Sequence, residues 1–124
     1  MVHGSQVDPV FGYTTEDTPL HTNPAHILVC GATHRPFVNA DHTQKRMIAN
    51  IGSCGFPRDH GALGSVGIFN SESFTFKILR YDLSHSLDVL RQTHTALDTM
   101  VLNVFQRRPK LAFVGEIWAP PQTF

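Results

Sequence analysis

Histidine is the residue type that gives this chain most of its chemical potential. There are eight histidines in 124 residues, and imidazole both binds metal ions and exchanges protons near neutral pH. Histidine, small residues and turns collect in three short segments at the ends of apolar runs, namely residues 2–5, 31–36 and 50–59. Because loops at strand ends present ligands in layered folds, these segments are the candidates for a binding site.

Composition and charge exclude several classes of protein. Ten Lys and Arg balance ten Asp and Glu, and the longest basic clusters are the pairs Lys45-Arg46 and Arg107-Arg108. A protein that binds nucleic acid or anionic membranes through electrostatics needs a larger basic patch. The apolar runs are too short to span a bilayer, and the first residues contain neither the charged n-region nor the apolar h-region typical of a signal peptide. We expect one cytoplasmic domain that contacts neither nucleic acid nor membrane, with Cys30 and Cys54 as free thiols.

The apolar pattern predicts four strands before residue 82. Residues 25–30 are a continuous apolar run that ends at glycine, which is typical of a strand buried on both faces, and residues 46–51 are another strand candidate that stops at Gly52. Residues 65–69 and 73–81 are joined at 70–72, a link short enough for a hairpin. Polar residues 14–24 and 39–45 read as connections.

One segment, residues 83–107, is predicted to be a long helix. Its apolar residues recur every three or four positions, and His94 fills a gap in the stripe as a core or interface residue. Asp82 is the expected N-cap, and Pro109 follows the end. Beyond it, residues 110–124 form an apolar, proline-rich tail that could add an edge strand or cover a neighbour.

The three candidate segments together resemble a known family. Read in order, His3-Gly4-Ser5, the sequence GATHRP at 31–36, the sequence NIGSCGFPRD at 50–59 and Tyr81-Asp82 resemble the C-terminal half of calcineurin-like metallophosphoesterases. The resemblance is greatest to the small bacterial phosphodiesterase or diadenosine-tetraphosphatase-like branch and covers residues 2–107. It implies that residues 1–109 are the C-terminal half of such a domain, followed by the tail at 110–124.

The resemblance also implies roles for individual residues. His3 and His34 match metal-ligating histidines of the family, and the metal would be manganese, iron or zinc. Asn50 and Ser53 fall in the loop beside the family's site. Arg58 lies in the same loop and suits the oxygens of a phosphorylated small molecule, although it could instead pair with Asp59 or cap a turn.

The chain departs from the family at other ligand positions. Ala32 stands where the family has a further metal-ligating histidine, and a methyl group binds no metal. The family's upstream ligand segments, including the one that supplies the histidine assisting the leaving group, have no match here. We therefore assign no catalytic residue and expect an incomplete metal site, since zinc usually takes three or four protein ligands.

The fold that the resemblance implies is α+β. It is a partial αββα sandwich with a mixed or antiparallel sheet and the long C-terminal helix. A half sandwich would expose the apolar runs 27–30 and 47–51. Cover could come from a partner that supplies the missing N-terminal half, from a second copy, or from the tail at 110–118 folding back, and we expect a homo-oligomer or the missing half.

These expectations leave three functions open. The first is a phosphoesterase half that is inactive unless a partner completes it. The second is a non-catalytic module derived from such a half, which self-associates or holds a partner. The third is a mononuclear metal site built from histidines of two subunits.

Overall fold

Two small sheets and two short helices make up the part of the chain that the computed structural model describes, residues 1–22, 25–94, 99–106 and 117–118. One sheet contains β1 (Ile27–Cys30), β2 (Phe37–Asp41) and β3 (Arg46–Asn50). The other contains β4 (Leu63–Asn70), β5 (Thr75–Asp82) and β6 (Ile117–Trp118). The helices are α1 (Ser84–Thr93) and α2 (Thr99–Phe105), and a 3-10 helix spans Leu20–Thr22.

The first sheet is mixed, with β3 at its centre. It runs parallel to β1, where Cys30 lies opposite Asn50, and antiparallel to β2, where Phe37 lies opposite the same residue. A central strand is covered on both faces, which explains the continuous apolar run Met47-Ile48-Ala49. Strand β2 was not predicted, because residues 39–45 read as a polar connection.

The second sheet is built on a hairpin. Strands β4 and β5 pair antiparallel around a turn at residues 71–74, which confirms the predicted hairpin. Along β5, Phe76, Ile78 and Arg80 are buried and the residues between them are half-buried, in the predicted alternation. The short β6 pairs parallel with the other edge of β5, so the expected edge strand from the tail is confirmed at Ile117–Trp118.

The core lies between the sheets. Met47 and Ala49 of β3 pack against Phe76 and Ile78 of β5. The opposite face of the first sheet buries Leu28, Phe37 and Ile48, and Val2 and Leu20 pack against them. Burying each such side chain contributes about 1.5–3 kcal/mol.

This packing corrects one argument made from the sequence. The apolar runs 27–30 and 47–51 were expected to need cover from another polypeptide, a second copy or the tail at 110–118. The chain instead covers one face of the first sheet with its second sheet and the other with its own N-terminal segment.

The predicted long helix over 83–107 is wrong. The predicted α+β fold class, a partial αββα sandwich with one long C-terminal helix, depended on that helix and is wrong as well. Among the described residues more lie in strands than in helices, and α1 ends at Thr93, before α2 begins at Thr99. Between Leu90 and Leu97 the apolar stripe is interrupted by polar residues of weak helix propensity, among them Thr93 and His94. His94, expected in the apolar stripe, is exposed with φ −126° and ends α1.

The start of the helix also differs from the prediction. Leu83, not Asp82, occupies the N-cap position, and it makes no side-chain capping bond. Asp82 instead accepts hydrogen bonds from the backbone N–H and the hydroxyl of Ser84.

Two further predictions concern the boundary between the domain and its C-terminal tail, and the absence of a membrane-spanning segment. The predicted domain boundary at residue 109 lies outside the described residues. In the described ranges, no helix has the length and apolar character needed to cross a membrane.

Candidate functional site

The three segments singled out in the sequence meet at one edge of the first sheet. Because β1 and β3 are parallel and end opposite each other, the loops that follow them leave the sheet side by side. The carbonyl of His3 accepts hydrogen bonds from the backbone N–H groups of Gly31 (3.2 Å) and Ala32 (2.8 Å). The carbonyl of His34 accepts one from the backbone N–H of Arg58 at 3.1 Å. Main-chain hydrogen bonds therefore join residues 2–5, 31–36 and 50–59.

His34 has an unusual backbone and a fixed ring. Its φ of 56° lies in the left-handed region, which histidine adopts more readily than most residues and which Lys45 and Phe74 also adopt in turns. The ring Nδ1 lies 2.8 Å from the carbonyl oxygen of Phe56. A carbonyl only accepts, so Nδ1 carries a proton, and in the neutral ring Nε2 then keeps its lone pair, the arrangement usual for metal-ligating histidines.

His3 is placed differently. Its main chain is bonded to the 31–36 loop, but its side chain is exposed. The two predicted metal ligands therefore come from adjoining loops, with the His34 imidazole half-buried and the His3 imidazole open to solvent.

Asn50 and Ser53 hold the loops in shape. Asn50 is fully buried, donates to the hydroxyl of Thr33 at 2.9 Å and accepts from the backbone N–H of Gly52 at 3.0 Å. The hydroxyl of Ser53 accepts from the backbone N–H of Phe56 at 2.9 Å. Asn50 thus positions the segment before His34, and Ser53 positions the carbonyl that holds the His34 ring.

Gly52 is required by the turn between these two residues. Its φ is 76°, and a Cβ there would lie 2.5 Å from the hydroxyl oxygen of Ser65. Any side chain at this position would strain the backbone and displace the Ser65 hydroxyl.

Arg58 is exposed and lines a cleft of about 600 Å³. Its neighbour Asp59 pairs with Arg80, so the alternative in which Arg58 pairs with Asp59 is wrong. The charged and aromatic residues of the cleft wall are Tyr13, Glu16, Asp17, Arg35, Phe56 and Arg58.

Sequence reasoning gave no role to several of these residues. Arg35 belongs to the 31–36 segment but was assigned none, and Glu16 and Asp17 were taken as part of a connection. The position of Arg35 directly after His34 was the one available signal, because the sequence does not show where residues 13–17 fold.

The described residues do not fit a complete metal centre. Within them, no group of three or more His, Cys, Asp or Glu side chains is placed to hold a metal ion. A tight zinc site needs three or four protein ligands, and His3 with His34 supplies two.

Comparison with known proteins bears on the fold alone. No protein-family model matches the chain, and no curated protein matches it. The crystal structure of the hypothetical protein PH1004 from Pyrococcus horikoshii OT3 is similar, with a TM-score of 0.64 and 19% sequence identity. The match covers 89% of this chain and 46% of that chain, so the chain spans less than half the length of this structural neighbour.

Proposed function

We propose that this chain carries one half of a metal-dependent phosphoric ester hydrolase site. His3 and His34 are its imidazole ligands, and Arg58 contacts the phosphoryl group of a phosphorylated small molecule. The remaining ligands come from outside the described residues, from a partner polypeptide or a second copy. The isolated chain is inactive, and its cytoplasmic compartment remains a prediction from the sequence.

The observation that carries the proposal is the hydrogen bond that orients the His34 ring. The hydrogen bond from Nδ1 to the Phe56 carbonyl leaves the Nε2 lone pair available, at the edge where the three segments meet.

A substitution at His34 tests the proposal without disturbing the loop. In His34→Asn, asparagine tolerates a positive φ and its amide can still donate to the Phe56 carbonyl, but the Nε2 lone pair is gone. We expect Zn²⁺ to shift the imidazole resonances of His34 in the wild-type protein. The His34→Asn variant should lose most of its Zn²⁺ affinity, whereas His94→Asn, which changes an exposed histidine at the end of α1, should keep it. Equal Zn²⁺ affinity in all three proteins would contradict the proposal.

Activity provides a second test. The isolated chain should leave bis(p-nitrophenyl) phosphate intact in the presence of Mn²⁺, because its ligand set is incomplete. Adding a polypeptide that carries the missing acidic and histidine segments should produce hydrolysis that His34→Asn abolishes. Hydrolysis by the isolated chain, or an inert complex with every phosphoester tested, would count against the proposal.

A second candidate function, a self-associating module, is favoured by the outer part of β4. This strand is an edge of its described sheet, and Val66, Ile68 and Phe69 are exposed along it. Residues 61–71 contain no charged side chain, and an apolar edge without charges is a template for pairing with another strand. We expect a homo-oligomer joined through β4.

Light scattering after size-exclusion chromatography tests this candidate. Ile68→Lys should dissociate the oligomer, because it places a charge on the exposed edge. Val89→Lys adds the same charge at an exposed apolar position on α1 and should leave the oligomer intact. A monomeric wild-type protein at high concentration would exclude the module.

A further inference from the structure

The cleft beside the His34 loop contains more binding groups than the proposed hydrolase site uses. Its volume, about 600 Å³, falls within the range of small-molecule sites. Besides Arg58, its wall contains a second arginine, two carboxylates and two aromatic rings, from Arg35, Glu16, Asp17, Tyr13 and Phe56.

The two arginines provide an anion site. Arg35 and Arg58 are both exposed, and neither guanidinium is ion-paired to a described residue. Hydrogen bonds fix the main chain at both residues, because the N–H of Arg35 donates to the hydroxyl of Thr33 and that of Arg58 to the carbonyl of His34. Guanidinium groups bind phosphate through paired N–H donors, and two of them facing one cleft suit a single phosphoryl group.

The other walls suit a nucleoside. Phe56 is held edge-on against Phe105, with ring centroids 5.7 Å apart, and Tyr13 is 65% exposed. Aromatic side chains of this kind stack with nucleobases. Glu16 and Asp17 can accept hydrogen bonds from ribose hydroxyls, a use of carboxylates known from nucleotide sites.

We propose that this cleft binds a nucleoside 5′-monophosphate without a metal ion. Arg35 and Arg58 hold the phosphate, Glu16 or Asp17 accepts from the ribose, and Tyr13 and Phe56 flank the base. The inference rests on the proposed function only in taking a phosphoryl group as the ligand of Arg58, since no imidazole and no metal takes part. A polynucleotide is not favoured, because the chain has a net charge of zero.

Calorimetric titration with AMP, adenosine and ribose 5-phosphate, all in EDTA, tests the proposal on the wild-type chain. AMP should bind at least about tenfold more tightly than adenosine, because adenosine lacks the charge-assisted hydrogen bonds to the arginines. It should also bind more tightly than ribose 5-phosphate, which lacks the base. Equal affinities for AMP and adenosine, or no binding of AMP, would overturn the proposal.

Arginine variants locate the site. Arg35→Ala and Arg58→Ala should each weaken AMP binding about tenfold or more and leave adenosine binding unchanged. Arg91→Ala is the matched control, because Arg91 is exposed on α1 and pairs there with Asp88. Loss of AMP affinity in the control to the same extent would contradict the assignment.

The two proposals fail independently. AMP binding in EDTA that His34→Asn leaves intact supports the nucleotide cleft whether or not His34 binds Zn²⁺. AMP binding that requires added metal overturns the cleft proposal and leaves the hydrolase proposal standing.

Discussion

Arg80 holds Asp59 in a two-pronged ion pair, with Nη1 2.6 Å from Oδ2 and Nη2 3.2 Å from Oδ1. The guanidinium is 5% exposed and also donates to the carbonyls of Leu63 and Gly64. This pair therefore fastens the loop that contains Arg58 to the second sheet. Asp59, which lies in a candidate binding segment, has a structural role.

Removing Asp59 should destabilise the protein. Asp59→Ala removes the carboxylate that pairs with the buried Arg80 guanidinium, which should lower the free energy of unfolding by about 3 kcal/mol. Asp88→Ala removes the carboxylate of the exposed pair with Arg91 and should change it by no more than about 0.5 kcal/mol. Urea denaturation measures both values. Similar losses in the two variants would show that the Arg80 pair adds no more than a surface contact.

The hydroxyl of Ser65 makes a second link between the sheets. It donates to the carbonyl of Ile51 at 2.6 Å and accepts from the backbone N–H of Ser53 at 3.1 Å. Ser65→Ala leaves both groups without this partner and should lower the free energy of unfolding by about 1–3 kcal/mol. Ser73→Ala, at an exposed hydroxyl in the hairpin turn, should be nearly neutral. Urea denaturation again distinguishes the two, and a neutral Ser65→Ala would contradict the argument.

The sequence is informative where one local pattern decides the structure. The continuous apolar run at β3 reflects burial on both faces, and the alternation along β5 reflects a strand with one buried face. In β1, which was predicted to be buried on both faces, buried and half-buried residues alternate instead. The site segments could be found for the same reason, because each directly follows a strand or pairs with one. Parallel pairing of β1 and β3 then brings their loops together.

Other features depend on contacts between residues that are distant in the sequence, which a local sequence pattern does not predict. The cover that Val2 and Leu20 provide to the first sheet comes from residues distant in sequence, and so does the pairing of Asp59 with Arg80. Thr93 and His94, which have weak helix propensity, are a local signal for the break between α1 and α2. The apolar repeat on either side of them nevertheless predicted one continuous helix. Strand β2 was missed because only Phe37 and Val38 of its five residues are strongly hydrophobic.

Asp82 should contribute a pH-dependent part of the stability. The hydroxyl of Ser84, and then its backbone N–H, lower the pKa of this exposed carboxyl below its ordinary value of 3.8. A group whose pKa is lower in the folded state stabilises the fold above its unfolded pKa, and this contribution is lost as the pH falls through the folded pKa. Ser84→Ala should therefore move the NMR titration midpoint of the Asp82 carboxyl upward toward 3.8, whereas Ser86→Ala should leave it in place. An unchanged midpoint in Ser84→Ala would contradict the role of the hydroxyl.

The two cysteines should differ sharply in reactivity. Both are free thiols, as the sequence predicted, but Cys54 is exposed and Cys30 is 1% exposed. Burial raises the pKa of the Cys30 thiol, and hydrogen bonds with Thr14 and Asn50 oppose that rise only in part. Since the thiolate is the reactive form, a disulfide reagent at pH 8 should modify Cys54 rapidly and Cys30 on the order of 100-fold or more slowly, at a rate set by opening of the fold. In Cys54→Ser the fast phase should vanish, and urea should restore reaction at Cys30. Two equally fast phases in the folded protein would mean that the carboxyl end of β1, on which His3 and the 31–36 loop depend, is open to solvent.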